Sequence, residues 1–339
     1  MNIEDRILGT IYGQAIGDAL GLPVEHRTRE QVERFATEQP STGWPNSYIG
    51  TVRKDCSWKP GEWSDDTDQA ICILQAYLKG VDEGKSSAEL IDQRLLAKEF
   101  LEWAALKGRG IGGHTRKVFE NPKFLTDPVT ASHEIWLASG RQVAPNGAVM
   151  RTSYAGILRP WDLGWTMLNS AWAASTTHRD PRCVASAVAV SVAVAVLVSG
   201  ASIQEAVSKA EEHAGVFYLD IKEWLSVGNL EELRLDEILD GKPSFGYTFK
   251  CLGAAFWALR EFQRREKEEY DDLWPDRFQE ILKKVILAGG DTDTNAAVAG
   301  ALMGAHIGAP NLPDLVVAGL SPRKDLDTLF ERLIKIQRG

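Results

Sequence analysis

The sequence predicts an all-α fold, and three observations carry that prediction. Apolar residues recur with a period near 3.6 along most of the chain. No alternating run is long enough to read as a strand. The Gly- and Pro-rich stretches, near Pro40–Gly61, Gly108–Gly113 and Ala144–Gly147, fall between helical segments and read as loops. No low-complexity linker divides the 339 residues and no solenoid-type repeat appears, so one domain over 1–339 is expected.

The elements follow in chain order. "EDRILGTIYGQAIGDALG" places Ile7, Leu8, Ile11, Ala15, Ile16 and Ala19 at helical spacing, while Gly9, Gly13 and Gly17 leave one stripe almost bare of side chains. Glycine costs helix propensity, so the stripe implies close packing of a second helix. "DDTDQAICILQAYLKGV" is a helix with an acidic start and an apolar body, and Ser64 is its expected N-cap. "SAELIDQRLLAKEFLEWAAL" is amphipathic, as are "TMLNSAWAASTTH", "SIQEAVSKAEEHA", "SFGYTFKCLGAAFWALREFQR" and "RFQEILKKVILAGG". An Ala/Gly-rich helix is expected over Thr294–Gly308. "CVASAVAVSVAVAVLVSG" is apolar for about sixteen residues, or roughly 24 Å as a helix, short of the ~30 Å hydrocarbon core of a bilayer. It reads as a central buried helix and not as a membrane span.

Composition narrows the function classes. Apolar residues make up 44% and charged residues 25%, as in a globular protein with a core, and the formal charge of −9 argues against a nucleic-acid groove. Cys56, Cys72, Cys183 and Cys251 are scattered without a C-x-x-C pair, which excludes a zinc ribbon and fits a reduced compartment. The start, "MNIEDRILGTIYG", does not read as a secretory signal. A cytoplasmic monomer without a membrane or nucleic-acid partner is expected.

Two stretches carry the chemistry. "GEWSDDTDQA" sets Asp65, Asp66 and Asp68 after a tryptophan, and "GGDTDTNAAVAG" repeats the Asp-Thr unit at Asp291–Thr294. Acids near helix starts are favoured by the helix dipole, so each cluster alone is good capping chemistry. Two such clusters, each opening a small-residue helix, point further, to a shared site. Like charges ~4 Å apart repel by roughly 4 kcal/mol at an effective dielectric of 20. Converging acids therefore need protons or a hard divalent cation. Ser64, Thr292 and Thr294 can add neutral oxygens, and the cluster is acidic enough for two ions.

Six motifs, in order from residue 13 to residue 308, give the chain a specific resemblance: "GQAIGDALGLPVE", "WSDDTDQA", "GRGIGGHT", "NGAVMR", "TTHRDP" and "GGDTDTNAAVAGALMGAHIG". The chain resembles the ADP-ribosylglycohydrolase family. That resemblance implies an orthogonal helical bundle with two Mg²⁺ ions, or Mn²⁺, at the mouth of a cleft. It implies metal ligation by Ser64, Asp65, Asp66, Asp291, Asp293 and Thr294. It implies catalytic roles for Asp65 and Asp66, and for Glu25 on a mobile flap. Gly110, Gly112, Gly113 and His114 match a loop around ribose and diphosphate; Asn146, Gly147, Met150 and Arg151 match a segment near the phosphates and distal ribose; His178 matches a binding-region histidine. The lead "RQVAP" before Asn146 departs from the Gly- and Ser-rich lead of relatives.

Read by themselves, Arg109 and Arg151 are surface or structural arginines before they are phosphate contacts. Met150 and the tryptophans are packing residues, Trp63 remains open, and His178 is a core histidine unless the resemblance holds. The implied reaction is hydrolysis of the glycosidic bond between ADP-ribose and an acceptor such as arginine or serine. The alternatives are an ADP-ribose-binding protein without activity, a hydrolase acting on an ADP-ribosylated small molecule or nucleic acid, and a metal-stabilised scaffold.

Overall fold

The first helix, Ile3–Gly21, lays its glycine stripe against a matching stripe on the helix Thr292–Ile307. A Cβ on Gly9 would stand 2.3 Å from the Gly304 carbonyl oxygen, and one on Gly17 would stand 2.0 Å from that of Ala296. The two backbones are therefore in contact, which only glycine permits. This crossing ties the amino-terminal motif to the second acid motif, almost three hundred residues away in sequence.

The computed structural model describes residues 1–38, 43–53, 56–239, 242–268 and 273–338. These residues contain sixteen α-helices. Part of the expected Pro40–Gly61 loop lies outside them. Strand structure among the described residues is confined to two antiparallel ribbons, Thr51–Arg53 with Cys56–Trp58 and Ile238–Leu239 with Lys242–Pro243. Two or three residues cannot display an alternating pattern, so neither ribbon was legible beforehand.

The alanine–valine helix is Pro181–Val198, and every residue from Cys183 to Val198 is buried. By length and hydropathy it would pass for a membrane span, yet 89% of it is buried inside the fold. The helices Leu163–Ser175, Ile203–Ala214, Thr248–Glu268 and Thr292–Ile307 pack around it. At ~1.5–3 kcal/mol per fully buried large aliphatic side chain, this face is a main source of stability. Asp180 starts the helix by accepting from the Arg182 N–H at 2.9 Å, with Pro181 in the first turn. Cys72, Cys183 and Cys251 are free thiols in the interior.

The second acid helix begins at Thr292, two residues earlier than its pattern suggests, so Asp293 and Thr294 lie in the first turn. The loop before it and the 144–148 loop are fastened to the core. Asn146 N–H donates to the Gly246 carbonyl at 2.9 Å, and Thr248 N–H donates to the Ala144 carbonyl at 3.0 Å. These bonds fix the walls of a cleft.

Candidate active site

Asp65 and Asp66 are the first two residues of the helix Asp65–Asp82, and Ser64 caps it by accepting from the Asp66 N–H. The Ser64 hydroxyl in turn donates to Asp66 Oδ2 at 2.8 Å. From the second motif, Thr294 Oγ1 donates to Asp66 Oδ1 at 3.0 Å. The two acid clusters, 228 positions apart at this contact, thus meet.

A third segment joins them. Asp18, on the first helix, accepts from Ser64 N–H at 2.8 Å, Thr67 N–H at 3.0 Å and Thr67 Oγ1 at 2.7 Å. It satisfies the open N-terminus of the acid helix from outside. Carboxylate oxygens of Asp18, Asp66 and Asp293 all lie within 4.8 Å of one another. Sequence reasoning missed Asp18. The available signal was the one acid beyond the first turn of the glycine-striped helix.

Crowding sets the protonation of these groups. Burial, then the charges of Asp18 and Asp291, push the Asp65 carboxyl up to about 8. Burial, Asp18 and Asp293 drive Asp66 well above the carboxylate range. Asp18 rises to about 6 by burial, against the hydrogen bonds from Thr67 and Ser64. Desolvated carboxylates packed together with neutral hydroxyls form an all-oxygen donor set, which fits a hard divalent cation such as Mg²⁺ or Mn²⁺. Asp66, Asp291, Asp293 and Thr294 are the residues placed to hold such ions.

The acids open onto a cleft of about 250 Å³. Among the residues singled out from sequence, Glu25, Asp65, Asp66, Gly110, Gly112, Gly113, His114, Asn146, Gly147, Met150, His178, Asp291, Asp293 and Thr294 line it. Gly110 has φ +89°, and a Cβ there would stand 2.3 Å from Asp65 Oδ1, so only glycine lets this loop close over the carboxylate. Gly112 precedes the helix Gly113–Phe119 without a side-chain cap, leaving backbone N–H groups at the cleft. Asn146 Nδ2 donates to Asp291 Oδ2 at 2.8 Å, joining the third wall to the acids. His114 and His178 pack ring against ring at 4.7 Å. Burial lowers the pKa of both.

Ser64 and Arg151 are not in the lining. Ser64 is buried beneath the acids. Arg151 is fully buried behind the cleft, where it donates to Gln69 and Thr177; the expected place near phosphates is not where the fold puts it. Arg109 is spent on the Ser57 carbonyl and Glu62. Trp63 donates its indole N–H to Asp68 at 2.9 Å, and Trp103 donates to the other oxygen at 2.9 Å. Asp68 is thereby turned away from the cluster its sequence neighbours form.

Glu25 lines the cleft, its Oε1 3.3 Å from His26 Nε2. The backbone beyond it is fastened to the second acid motif: His26 N–H donates to the Gly290 carbonyl at 2.7 Å, and Gly290 N–H to the Arg27 carbonyl at 2.8 Å. His26, Thr115, Pro145 and Gly246 also line the cleft and were not singled out from the sequence.

Compared with known proteins, the chain matches the ADP-ribosylglycohydrolase family over residues 1–339. It is 27% identical over 338 residues to the ADP-ribosylarginine hydrolase Tri1 of Serratia proteamaculans, covering 97% of this chain and 79% of that one. It is 23% identical over 325 residues to the ADP-ribosyl-[dinitrogen reductase] glycohydrolase of Rhodospirillum rubrum, covering 92% and 89%. A solved structure, an ADP-ribosylglycohydrolase-related protein complex, shares the fold with a TM-score of 0.67 at 22% identity, covering 99% of each chain.

Proposed function

The chain belongs to the ADP-ribosylglycohydrolase family, and on that premise we propose that it is a divalent-metal-dependent hydrolase that frees an acceptor from ADP-ribose. The observation that carries this reading is the meeting of Asp66 with Thr294, beside Asp18 and Asp293, at one end of a glycine-walled cleft. The preferred acceptor is a protein arginine, as the name of the Serratia relative says of that protein; serine is the runner-up.

Asp66, Asp291, Asp293 and Thr294 would hold two Mg²⁺ or Mn²⁺ ions. When bound, such ions polarise ribose hydroxyls and lower the pKa of water. The remaining steps belong to the chain. Asp65 offers an oxygen at the cleft floor while Gln69 Nε2 holds its Oδ2 at 2.9 Å, which suits it to take a proton from the attacking water. The neighbouring carboxylates favour the positive charge that develops on the ribose ring. The uncapped N-terminus at Gly112–Gly113 provides N–H donors for the diphosphate in an otherwise acidic site. Glu25, which lines the cleft, is the residue we assign to the leaving group. A guanidinium acceptor departs with less protonation than a serine alkoxide, so this single glutamate suffices more readily for arginine.

The test is mass spectrometry of products from peptides ADP-ribosylated on arginine or serine, and from ADP-ribosylated nucleotides, with and without EDTA. Release of free ADP-ribose, abolished by EDTA and by Asp291→Asn, is expected. Calorimetric binding of ADP-ribose with no turnover of any linkage would reject hydrolysis. Undiminished turnover after removal of divalent ions would reject the metal.

A further inference from the structure

The buried Arg151 determines hydrogen-bond directions on both sides of the cleft. Its guanidinium lies 4.5 Å over the Phe100 ring. Nη1 donates to Gln69 Oε1 at 2.6 Å, and Nη2 donates to Thr177 Oγ1 at 2.5 Å. A guanidinium has donors and no acceptor, so each bond can run only one way. On one arm, Gln69 must turn its oxygen to Arg151, which leaves its Nε2 to donate to Asp65 Oδ2. On the other, the Thr177 oxygen accepts from Arg151, and among the described residues His178 Nδ1, 2.7 Å away, is the one acceptor within reach of its single proton. Nδ1 is then an acceptor, and the proton of a neutral imidazole sits on Nε2.

We propose that Arg151 is a positioning residue: through Thr177 it fixes His178 as the Nε2–H tautomer, and through Gln69 it orients Asp65. His178 lines the cleft, and its buried Nε2 has no hydrogen-bond partner among the described residues. An unsatisfied buried donor costs ~1–3 kcal/mol, so this one is matched to an acceptor atom of the ligand. Glycine at 147 keeps the ring clear, since a Cβ there would stand 2.9 Å from His178 Cε1. Burial, with His114 and Arg151 nearby, holds His178 neutral, which the hydrogen-bond directions also require. One five-member chain, from Asp65 through Gln69, Arg151 and Thr177 to His178, thus sets one acceptor and one donor in the lining of the cleft. The ligand half of this inference rests on the ADP-ribose reading; the tautomer half does not.

The test is long-range ¹H–¹⁵N correlation of histidine-labelled protein at neutral pH, with the His178 signals assigned by His178→Gln. Nδ1 is expected to resonate as an unprotonated acceptor and Nε2 as the protonated nitrogen. Thr177→Ser keeps this pattern, and Thr177→Val, which lacks the hydroxyl, gives a mixture of tautomers. In calorimetric titration with ADP-ribose in magnesium buffer, Thr177→Val weakens binding about tenfold, and Thr177→Ser stays within about twofold. A wild-type His178 protonated on Nδ1, or on both nitrogens, overturns the proposal, and this spectrum decides even if Thr177→Val does not fold. An unchanged tautomer pattern in a folded Thr177→Val also overturns it. The expected tautomer in a protein that turns over no ADP-ribosyl linkage rejects the hydrolase reading and leaves the positioning role standing.

Discussion

Gly13 and Gly300 face each other where the first helix crosses the second acid helix, and the fit is mutual: a Cβ on either would stand 2.1 Å from the other's carbonyl oxygen. Both atoms are backbone, so no side chain can swing aside. Gly13→Ala is expected to destabilise the protein by about 3 kcal/mol, the upper end for overpacking. Gly80 supplies the control. It is also helical, but a Cβ there meets nothing nearer than 3.6 Å. Gly80→Ala should raise stability by ~0.5–1 kcal/mol through helix propensity. Urea midpoints of the two variants should move in opposite directions; a harmless Gly13→Ala would mean that the crossing is looser than drawn.

Asp18 accepts one hydrogen bond from Ser64 N–H and two from Thr67, at 2.7–3.0 Å. It holds the end of the acid helix and is a neighbour of the metal-holding groups. An asparagine there keeps one acceptor oxygen and turns an NH₂ against a backbone N–H. Asp18→Asn should cost ~1–3 kcal/mol of stability and weaken Mg²⁺ binding about ten- to a hundredfold, as outer-shell changes do. Calorimetry with Mg²⁺ reads the second effect. Unchanged metal affinity would confine Asp18 to a capping role.

Sequence pattern disclosed what is local. The helices were readable because a 3.6 period persists over ten or more residues, and the acid motifs because several carboxylates stand in a row. Asp18 was not, because a lone acid has no pattern and its meaning depends on a helix packed across it. The ribbons at Thr51–Trp58 and Ile238–Pro243 were too short for alternation to show. Gln69 and Thr177 are ordinary helix and turn residues until Arg151 is placed between them. Arg151 by itself read as a surface or structural arginine and only the resemblance put its segment near phosphates; burial behind the cleft determined its actual partners. Asp68 shows the reverse error. It belongs to the acid run in sequence, but two indoles hold it on the other side of the helix.

Gly110 gives a way to perturb Asp65 without touching it. Gly110→Ala introduces both a left-handed alanine, at φ +89°, and a methyl 2.3 Å from Asp65 Oδ1. Gly140 has φ +72° with nothing within 4 Å, so Gly140→Ala carries the conformational strain alone. Each should lose a similar ~1–2 kcal/mol from the left-handed backbone. Only Gly110→Ala should lower kcat/KM, by at least about tenfold, because misplacing a reacting group by an ångström costs more than that. Equal activity in the two variants would remove Asp65 from the reaction.

The crowded carboxylates predict an unusual dependence of stability on pH in the metal-free protein. Burial pushes the Asp65 carboxyl up to about 8 in the folded state, from an ordinary value of 3.8. Between those values the folded state retains a proton that the unfolded chain has lost, so this group lowers stability as pH rises. Its contribution is fully present below 3.8 and gone above about 8, with a slope of up to ~1.4 kcal/mol per pH unit. Asp66 acts in the same direction. His114 and His178, held neutral, act in the opposite one, gaining stability as pH rises through 6.5. The raw curve therefore mixes both, and the difference between wild type and Asp65→Asn isolates the carboxylate. With EDTA present, Asp65→Asn should melt progressively higher than wild type as pH goes from 5 to 8. Added Mg²⁺ should reverse this: binding needs ionised ligands, so the rise in Tm it gives wild type should grow with pH. A difference between the two proteins that stays flat across this range would mean that Asp65 ionises freely, with no cost for a cation to relieve.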